Sequence, residues 1–379
     1  MTEVIFWLTI GAIFYTYFGY PLSTLFLSLL INQEIDKADI EPNVTFLITA
    51  YNEEKNIRQK LENTLSLDYP RDKLEIMVAS DGSSDKTDEI VREFSDKGVV
   101  LHRVEGRVGK TETQNQAVKI ARGDIVIFSD APTKYKNDAI RKLIRNYNDP
   151  SIGAVSGRYE YVNPTGTPVG LGTILFWKYE NFIKSRQTCI NTITGCCGCI
   201  YSIRRALYEP LPKDIISDLV EPLRILEKGY RIAFDPEAVA YETTEEKPEE
   251  EFSMRVRVIT RGMNGLAYVK SLLNPFVYGF VSFQLISHKI LRWLMPFFMI
   301  ILLICNVILL EIPVYRFIFI LQMLFYVSVP FAWVMHKYGK RIKFLFLPLY
   351  FCIVNLASVL AIINIIKGTK MATWETVRK

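Results

Sequence analysis

Three polar clusters follow directly after runs of β-prone residues, where their side chains could bind a metal ion or a phosphate. The runs are Val44–Thr49, Leu74–Ala79 and Asp124–Phe128, and the clusters after them contain Asn52, Asp81 and Asp130. One acid after one strand is often a turn residue. Three such clusters in order along the chain indicate a ligand site, because α/β enzymes bind ligands at strand ends.

The segments between these strands have the periodicity of helices. Helical patterns extend to Leu65, from Lys86 to Phe94 and from Thr111 to Ala121, and a further strand is expected at Val99–Val104. Strands that alternate with helices at this spacing predict βαβ units and a mainly parallel sheet covered on both faces. Right-handed crossovers bring the carboxyl ends of such strands to one edge. We therefore predict an α/β fold in which the three clusters lie together.

Two nearby motifs suggest chemistry that their spacing does not support. Gly106–Thr111 ends in GKT, but only two residues separate its glycines where a Walker A loop has four. Lys110 could still neutralise a phosphate from a helix start, the alternative being an ordinary solvated lysine. Cys196–Cys199 lacks the spaced C-x-x-C pairs of a zinc site. The segment therefore predicts a tight turn of small residues in a reducing compartment.

Apolar segments at both ends of the chain predict membrane attachment. Half of the 379 residues are hydrophobic and the net charge is only +5, a composition too apolar for an ordinary soluble enzyme. Each apolar segment is long enough to cross a bilayer, which takes about 20 residues. Residues 4–32 lack the features of a signal peptide, so we expect an anchor that is retained. The other predicted spans are Trp293–Leu310, Phe317–Met335 and Phe344–Ile366.

This pattern predicts five parts. They are a transmembrane anchor at 1–33, an α/β domain at 42–265, interfacial helices at 266–290, three transmembrane helices at 291–367 and a basic tail at 368–379. The aromatic and charged residues of 266–290 favour helices in the membrane interface, and a fifth crossing is the alternative. Basic loops stay cytoplasmic, and the loop His336–Arg341 is strongly basic. We therefore expect a multi-pass plasma-membrane protein whose large domain is cytoplasmic, and the side of the tail stays open.

The ordered motifs resemble those of a known enzyme family. AYNEE after the first strand, ASDGSSD after the second, GK before a helix with Asn115, and GDIVIFSDA follow each other in the first half. GCIYSIRR at Gly198–Arg205 and ISDLVEP at Ile216–Pro222 follow in the second half. Together they resemble an inverting family 2 glycosyltransferase with a GT-A fold, over about residues 43–265. The flanking spans resemble those of polysaccharide synthases that make hyaluronan, poly-N-acetylglucosamine or cellulose.

The resemblance implies a role for each candidate site residue. Asp130 would hold Mg²⁺ or Mn²⁺ against the donor diphosphate, with phosphates and water completing the metal's ligands. Asp218 would be the base that inversion needs on the face opposite the leaving nucleotide, a helix N-cap being the alternative. The remaining assignments are Tyr51, Asn52, Glu53, Asp81 and Lys110 to the nucleotide sugar, and Gly198 and Arg204 to the acceptor.

An arginine-rich stretch, Arg255–Gly262, lies where processive synthases carry a Gln-x-x-Arg-Trp motif. Arginines here could hold a diphosphate by bidentate contacts, and we favour Arg257 and Arg261 for that role. The alternative is a basic stripe against anionic headgroups, at about 1 kcal/mol per charge. The glutamine and the tryptophan of the motif are missing. Their absence argues against processive synthesis.

The leading hypothesis is a membrane glycosyltransferase that moves a sugar with inversion from a nucleotide sugar, expected to be a UDP-sugar. The acceptor would be lipid-linked or a growing polysaccharide. A processive synthase and exporter is the alternative, and a non-catalytic membrane scaffold is a third hypothesis. Expected partners are the donor, the acceptor and membrane lipids, without nucleic acid, and a homo-oligomer stays open. An ion-coupled transporter is disfavoured because the spans contain few ionisable residues.

Overall fold

One eight-stranded sheet forms the centre of the computed structural model, which describes residues 1–163, 166–244, 247–338, 345–369 and 371. The strands are Val44–Ala50 (β1), Leu74–Ser80 (β2), Val99–Arg103 (β3), Ile125–Asp130 (β4), Lys134–Tyr135 (β5), Ile152–Val162 (β6), Tyr201–Arg204 (β7) and Arg231–Thr243 (β8). Their order in the sheet is β3-β2-β1-β4-β7-β6-β8-β5. The first four of that order are parallel, as are β6 and β8, whereas β7 and β5 are antiparallel to their neighbours. The predicted α/β fold with a mainly parallel sheet is confirmed.

All four predicted strands are present, with ends within two residues of those expected. The main difference lies at β4, which continues through Ser129 and Asp130. These two residues pair with Ile48 and Thr49 of β1. The sheet therefore holds the backbone of Asp130 in place, where the sequence suggested that the strand ends before it.

The sheet is buried on both faces because its central strands are apolar throughout. All seven residues of β1 are buried. Phe46 and Ile48 belong to one core cluster, and Leu47 between them belongs to the other. Alternate side chains of a strand point to opposite faces, so β1 contributes to both cores.

Helices cover the two faces of the sheet and continue from it toward the apolar segments. They are Ile57–Leu65 (α3), Thr87–Arg92 (α4), Lys110–Ile120 (α5), Ala139–Ile144 (α6), Pro168–Ile190 (α7), Ser217–Glu227 (α8) and Pro248–Tyr268 (α9), after two N-terminal helices, Thr2–Phe14 (α1) and Tyr20–Ile31 (α2). Leu61 of α3 packs in the core of one face, and Val118 of α5 packs in the core of the other.

Within the part of the chain that the structure describes, four helical stretches are long and apolar enough to cross a membrane. They are Thr2–Ile31, Phe280–Ile308, Pro313–Met335 and Phe346–Ile366. The second begins at Phe280, where the sequence predicted interfacial helices up to residue 290, because a π-helical turn at Ile286–Ile290 joins the helices on either side of it. Ser287 and His288 in this turn are buried against the protein. Residues 339–341 of the predicted basic loop, and the tail at 370 and 372–379, lie outside the described residues.

The C-terminal helices complete the chain and pack directly on the sheet domain. They are Pro275–Tyr278 (α10), Phe280–Leu285 (α11), Leu291–Ile308 (α12), Pro313–Lys337 (α13) and Phe346–Ile366 (α14). Arg255 of α9 donates to Glu251 (2.8 Å) and to the hydroxyl of Tyr350 in α14 (2.5 Å). Its guanidinium also lies 4.4 Å from the ring centroid of Phe176. Arg255 therefore joins α9 to α14.

A carboxyl group is buried inside α8. The side chain of Glu221 is wholly inaccessible, and one of its oxygens accepts a hydrogen bond from the backbone N–H of Glu209 (3.1 Å). Burial raises the pKa of Glu221 to about 8, with that hydrogen bond acting in the opposite direction. The folded protein therefore holds this carboxyl protonated at neutral pH.

This protonation links stability to pH. Between the usual pKa of about 4.5 and the folded value of about 8, the unfolded chain loses a proton that the folded protein keeps. The contribution of Glu221 to stability is therefore present at pH 5 and declines as the pH rises to 8. We expect the melting temperature of the wild type in detergent to fall relative to Glu221→Gln over this range. If the melting temperatures of the two proteins change equally with pH over this range, the assignment is contradicted.

Candidate functional site

A cavity of about 930 Å³ lies between the carboxyl edge of the sheet and the apolar helices. Lys110, Asp130 and Asp218 line its sheet end, and Tyr17 and Phe351 line its other end. The candidate site residues that line the cavity are Glu53, Lys110, Asp130, Gly198, Asp218, Arg257 and Arg261. The cavity therefore brings predicted donor, metal and acceptor residues to one place and continues from them to the membrane helices.

Asp130 projects into this cavity from the end of β4. Its side chain is 34% exposed and forms an ion pair with Lys110, the first residue of α5. Among the described residues, no group of three or more His, Cys, Asp or Glu side chains could hold a metal. Asp130 alone fits a hard divalent cation that takes its other ligands from phosphate oxygens and water. Such a cation would have to displace Lys110 from the carboxylate, which leaves Lys110 free for a phosphate.

A buried lysine supports the turn that carries Asp130. Lys60 of α3 donates to Ser129 Oγ and to the carbonyl of Thr133, both at 2.7 Å, and its ammonium lies 4.4 Å from the ring centroid of Tyr135. Burial lowers the pKa of Lys60 to about 7, with Asp130 acting in the opposite direction. Sequence reasoning missed Lys60. The signal was its spacing on the buried face of α3, together with Ile57, Leu61 and Thr64.

Asp218 is the second residue of α8, and Ile216 occupies the N-cap position. The alternative interpretation of Asp218 as an N-cap is therefore wrong. Pro222 lies one turn further along α8 and has no N–H with which to bond the carbonyl of Asp218. That carbonyl instead accepts from the backbone N–H of Cys196 (2.9 Å). The proline thus leaves the carbonyl of Asp218 available for the hydrogen bond that joins the Cys196–Cys199 segment to α8.

Gly198 lies against the carboxylate of Asp218. A β-carbon at this position would approach Asp218 Oδ2 to 2.7 Å, so only glycine leaves the carboxylate where it is. Cys197 and Cys199 on either side are buried, with their sulfurs 3.2 Å apart. The N–H of Cys197 donates to Ser156 Oγ (3.1 Å). The predicted tight turn is confirmed, and it forms the wall of the cavity beside Asp218.

Asp81 lies beneath the loop that leads to Lys110. Its carboxylate accepts from the backbone N–H groups of Val108 (2.8 Å) and Gly109 (3.1 Å) and from Thr113 Oγ1 (3.1 Å). The side chain is wholly buried and does not line the cavity. In this structure Asp81 therefore positions the loop, and its direct contact with a nucleotide stays a prediction.

The first polar cluster forms a rim close to this loop. Asn52 adopts a left-handed backbone conformation (φ 52°), and its side-chain oxygen accepts from the N–H of Ser84 (2.8 Å). The guanidinium of Arg107 lies 4.1 Å from the ring centroid of Tyr51. Sequence reasoning missed Arg107, because nothing in the loop sequence places it against this ring. A planar cation over an aromatic ring makes a surface on which a nucleotide base could stack.

The two favoured arginines of α9 both line the cavity. Arg261 is buried, and its Nη2 donates to Thr111 Oγ1 (2.9 Å) and to the carbonyl of Ile215 (2.6 Å). Its Nε has no hydrogen-bond partner among the described residues. Burial lowers the pKa of Arg261 to about 10, against the effect of the nearby Asp218. Arg261 is therefore charged at neutral pH and keeps one donor free for an anion.

A tryptophan missed by sequence reasoning stands beside these arginines. Trp293 of α12 lines the cavity, and a β-carbon on Gly262 would lie 3.3 Å from its ring. The sequence stretch around Arg261 lacks a tryptophan, but the fold brings one to the same place from a distant helix. No local pattern could have revealed this contact.

Arg204 does not belong to the site, and its predicted contact with the acceptor is wrong. It donates to the backbone carbonyls of Ile152 (2.8 Å), Tyr147 (2.9 Å) and Asp149 (3.1 Å). Strand β7 is antiparallel to β4, so Arg204 pairs with Ile125 at the start of β4, opposite to the end that carries Asp130. The guanidinium thus binds backbone carbonyls at the end of the sheet opposite to Asp130.

The chain can be compared with known proteins on this basis. Residues 45–211 match the family model described as glycosyl transferase family 2. A protein of Bacillus subtilis named probable glycosyltransferase YdaM is 33% identical over 242 residues, which cover 60% of this chain and 56% of that protein. Poly-beta-1,6-N-acetyl-D-glucosamine synthase of Staphylococcus aureus is 29% identical over 244 residues, which cover 62% of this chain and 57% of the synthase. The chain thus spans a little over half the length of these curated relatives.

A solved structure resembles the whole chain. It is a mannosyltransferase from Pyrobaculum calidifontis in complex with GDP-Man and Mn²⁺, with a TM-score of 0.73 and 20% sequence identity. The similarity covers 98% of this chain and all of that one. The predicted GT-A fold with flanking apolar helices is confirmed.

The role of Pro222 can be tested by Pro222→Ala. The alanine supplies an N–H that competes with Cys196 for the carbonyl of Asp218, so we expect hydrogen exchange at the Cys196 amide to become faster. The melting temperature should stay equal or rise, because a proline inside a helix costs about 3 kcal/mol. The control is Pro212→Ala, at an exposed position before α8. Unchanged protection of the Cys196 amide would show that the proline does not control this contact.

Proposed function

We propose that the protein transfers a sugar with inversion from a nucleotide sugar to an acceptor at the membrane, because residues 45–211 match the glycosyl transferase family 2 model. The observation that carries this proposal is the shared cavity of Lys110, Asp130 and Asp218, which extends to the membrane helices. UDP-sugars are the expected donors. Whole-chain activity is inferred from the site, since the curated relatives are matched over only part of their length.

The donor end of the cavity is suited to a diphosphate. Lys110 stands at the start of α5, where the N-terminus of a helix favours an anion, and Arg261 has an N–H without a hydrogen-bond partner among the described residues. A divalent metal bound at Asp130, Mg²⁺ or Mn²⁺, would neutralise the charge that builds up on the departing nucleotide. Mn²⁺ accompanies GDP-Man in the Pyrobaculum mannosyltransferase, which supports this choice of cofactor. Tyr51, Asn52, Glu53 and Arg257 would surround the rest of the donor.

The acceptor end is built around Asp218. In the proposed reaction, an acceptor hydroxyl oxygen forms a bond to the anomeric carbon while the bond from that carbon to the donor phosphate breaks. Asp218 takes the hydroxyl proton, and the nucleoside diphosphate leaves with the electron pair. Gly198 leaves space beside the carboxylate, and Trp293 offers an aromatic face for a sugar ring.

The four apolar helices support a multi-pass protein of the plasma membrane, with the sheet domain in the cytoplasm where nucleotide sugars are made. In the proposed domain scheme, the helices at 1–33 and after residue 280 hold the domain of residues 42–265 at the bilayer. A single transfer to a lipid-linked acceptor is favoured. A processive synthase is the second candidate, because a relative is named as a poly-N-acetylglucosamine synthase. Product length after incubation with labelled donor separates the two, since repeated transfer gives a ladder of products.

The roles of the two acids predict different defects. Asp218→Asn removes the base without changing the size of the side chain, so we expect nucleotide release to fall about 10²- to 10⁴-fold while donor binding is retained. Asp130→Ala removes the metal ligand, so metal-dependent donor binding should be lost as well. Isothermal titration with nucleotide sugars and an assay of nucleotide release measure the two effects.

A control for these variants is Asp124→Asn, an exposed acid at the opposite end of β4, which should keep both properties. Full nucleotide release by either site variant would contradict the role assigned to that acid, and no release by the wild type would favour a non-catalytic scaffold.

A further inference from the structure

The cavity contains a second group of charges that the proposed transfer does not use. Its members come from α7, from the π-helical turn that precedes α12 and from the first turn of α12. All of them line the cavity wall. They are Glu180, Lys184, His288, Lys289 and Arg292. The last three lie inside the candidate membrane span Phe280–Ile308. Charged groups within a span are costly and mark sites that bind or move a charged species.

Positive charge exceeds negative charge in this group. Glu180 accepts from His288 Nε2 (3.1 Å) and forms an ion pair with Arg292. Burial acts to raise the pKa of Glu180, but His288 and Arg292 outweigh it and hold the pKa well below its usual range. Lys184 and Lys289 have no acidic partner within 4 Å among the described residues. With Glu180 matched by Arg292, two lysines are left uncompensated.

Lys184 is the clearest sign of a ligand. Lys184 lines the cavity wall with only 5% of the residue exposed, and its ammonium lies 5.7 Å from the ring centroid of Trp177. An ammonium group that lines a confined cavity without an acidic partner is suited to binding an anion. Lys289 lies on the same wall, within electrostatic range of Lys184, Glu180 and Asp218. Lys184 is buried and Lys289 is partly exposed, and two lysines on one cavity wall are suited to a phosphate or diphosphate group.

The surroundings of this group indicate what carries the phosphate. The cavity continues from the two lysines to Tyr17 and Phe18 near the N-terminus and to Phe351 and Val354 of α14. Phe18 is 60% exposed on the outer surface of a candidate span, so this end of the cavity faces the lipid. Asp218 stands at the other end. A molecule that fills the cavity therefore has an apolar chain, then a phosphate, then a group that reaches the base.

We infer that the acceptor is a lipid phosphate or diphosphate that carries a sugar. Its phosphate lies on Lys184 and Lys289, its hydrocarbon chain leaves between the helices near Tyr17 and α14, and its sugar hydroxyl faces Asp218. This inference rests on the proposed function and adds the chemical class of the acceptor. The phosphate site is separate from the donor diphosphate site, because the donor cations Lys110 and Arg261 stand beside Asp130 and Thr111, at the sheet end.

Binding of farnesyl diphosphate to the purified full-length protein tests this site without a turnover assay. The titration is done in detergent with EDTA, so that the metal-dependent donor site is not engaged. We expect farnesyl diphosphate to bind, and farnesol and inorganic pyrophosphate to bind at least about tenfold more weakly, since each lacks one half of the ligand. Lys184→Gln and Lys289→Gln should each weaken farnesyl diphosphate binding by about tenfold or more, the effect of losing a charged hydrogen bond.

Two controls complete the titration. Lys289→Arg should retain binding because it keeps the charge, and Lys270→Gln should bind as the wild type does, since Lys270 is exposed outside the cavity. Equal binding of inorganic pyrophosphate would overturn the inference in favour of a free-phosphate site. Competition by phosphatidylglycerol micelles at equal affinity would overturn it in favour of a general headgroup site. Wild-type affinity in both glutamine variants would also overturn it.

The two proposals fail in different ways. If the wild type releases no nucleotide from any nucleotide sugar with Mn²⁺ present, the proposed function fails whatever farnesyl diphosphate does. If the wild type releases nucleotide but Lys184→Gln and Lys289→Gln bind farnesyl diphosphate normally, only the acceptor class is wrong. Both glutamine variants should retain metal-dependent donor binding, because the proposed donor cations are Lys110 and Arg261.

Discussion

The arrangement of the site depends on one hydrogen bond that a proline makes available. Pro222 cannot bond to the carbonyl of Asp218, and the N–H of Cys196 takes its place at 2.9 Å. This contact ties the turn at Cys196–Cys199 to the first turn of α8 and places Gly198 against the carboxylate of Asp218. The same turn lies next to Asp130 and Lys110, so a single backbone contact positions Asp218, the proposed base, relative to these two residues. If residue 222 had an N–H that bonded to the carbonyl of Asp218, as in a regular helix, the turn at Cys196–Cys199 would lose its contact with α8.

Buried cations then distribute charge along the cavity. Lys60 lies beneath Asp130, Arg261 lies near Asp218, and Lys184 lines the cavity wall from α7. These three cations are held in place by their hydrogen bonds or by the cavity wall around them. None of them depends on an exposed surface ion pair, which would contribute little to stability. In surroundings of low dielectric, such charges act strongly on any anion that enters. The series offers successive positions for the donor diphosphate, the reacting centre and the phosphate of the inferred acceptor.

Much of the fold could be predicted from the sequence because its signals are local. The apolar runs of β1, β2 and β4, the helices between them and the rule of right-handed crossovers suffice to bring Asp81, Asp130 and the Asn52 cluster to one edge. The four candidate spans follow in the same way from length and hydropathy. What failed depended on long-range pairing. Arg204 was expected at the site, but the antiparallel placement of β7 puts it at the opposite end of β4. Trp293 and Arg107 reach the site from segments whose sequences carry no such signal, and Asp81 was found beneath a loop that covers it.

The most direct test of this account is the position of the metal in an experimental structure of the protein with Mn²⁺ and a nucleotide sugar. We expect Mn²⁺ bonded to Asp130 and to donor phosphate oxygens, Lys110 moved from Asp130 to a phosphate, and Asp218 on the face of the sugar opposite the leaving nucleotide. A metal bound away from Asp130, or a donor sugar whose leaving nucleotide lies on the same side as Asp218, would contradict it.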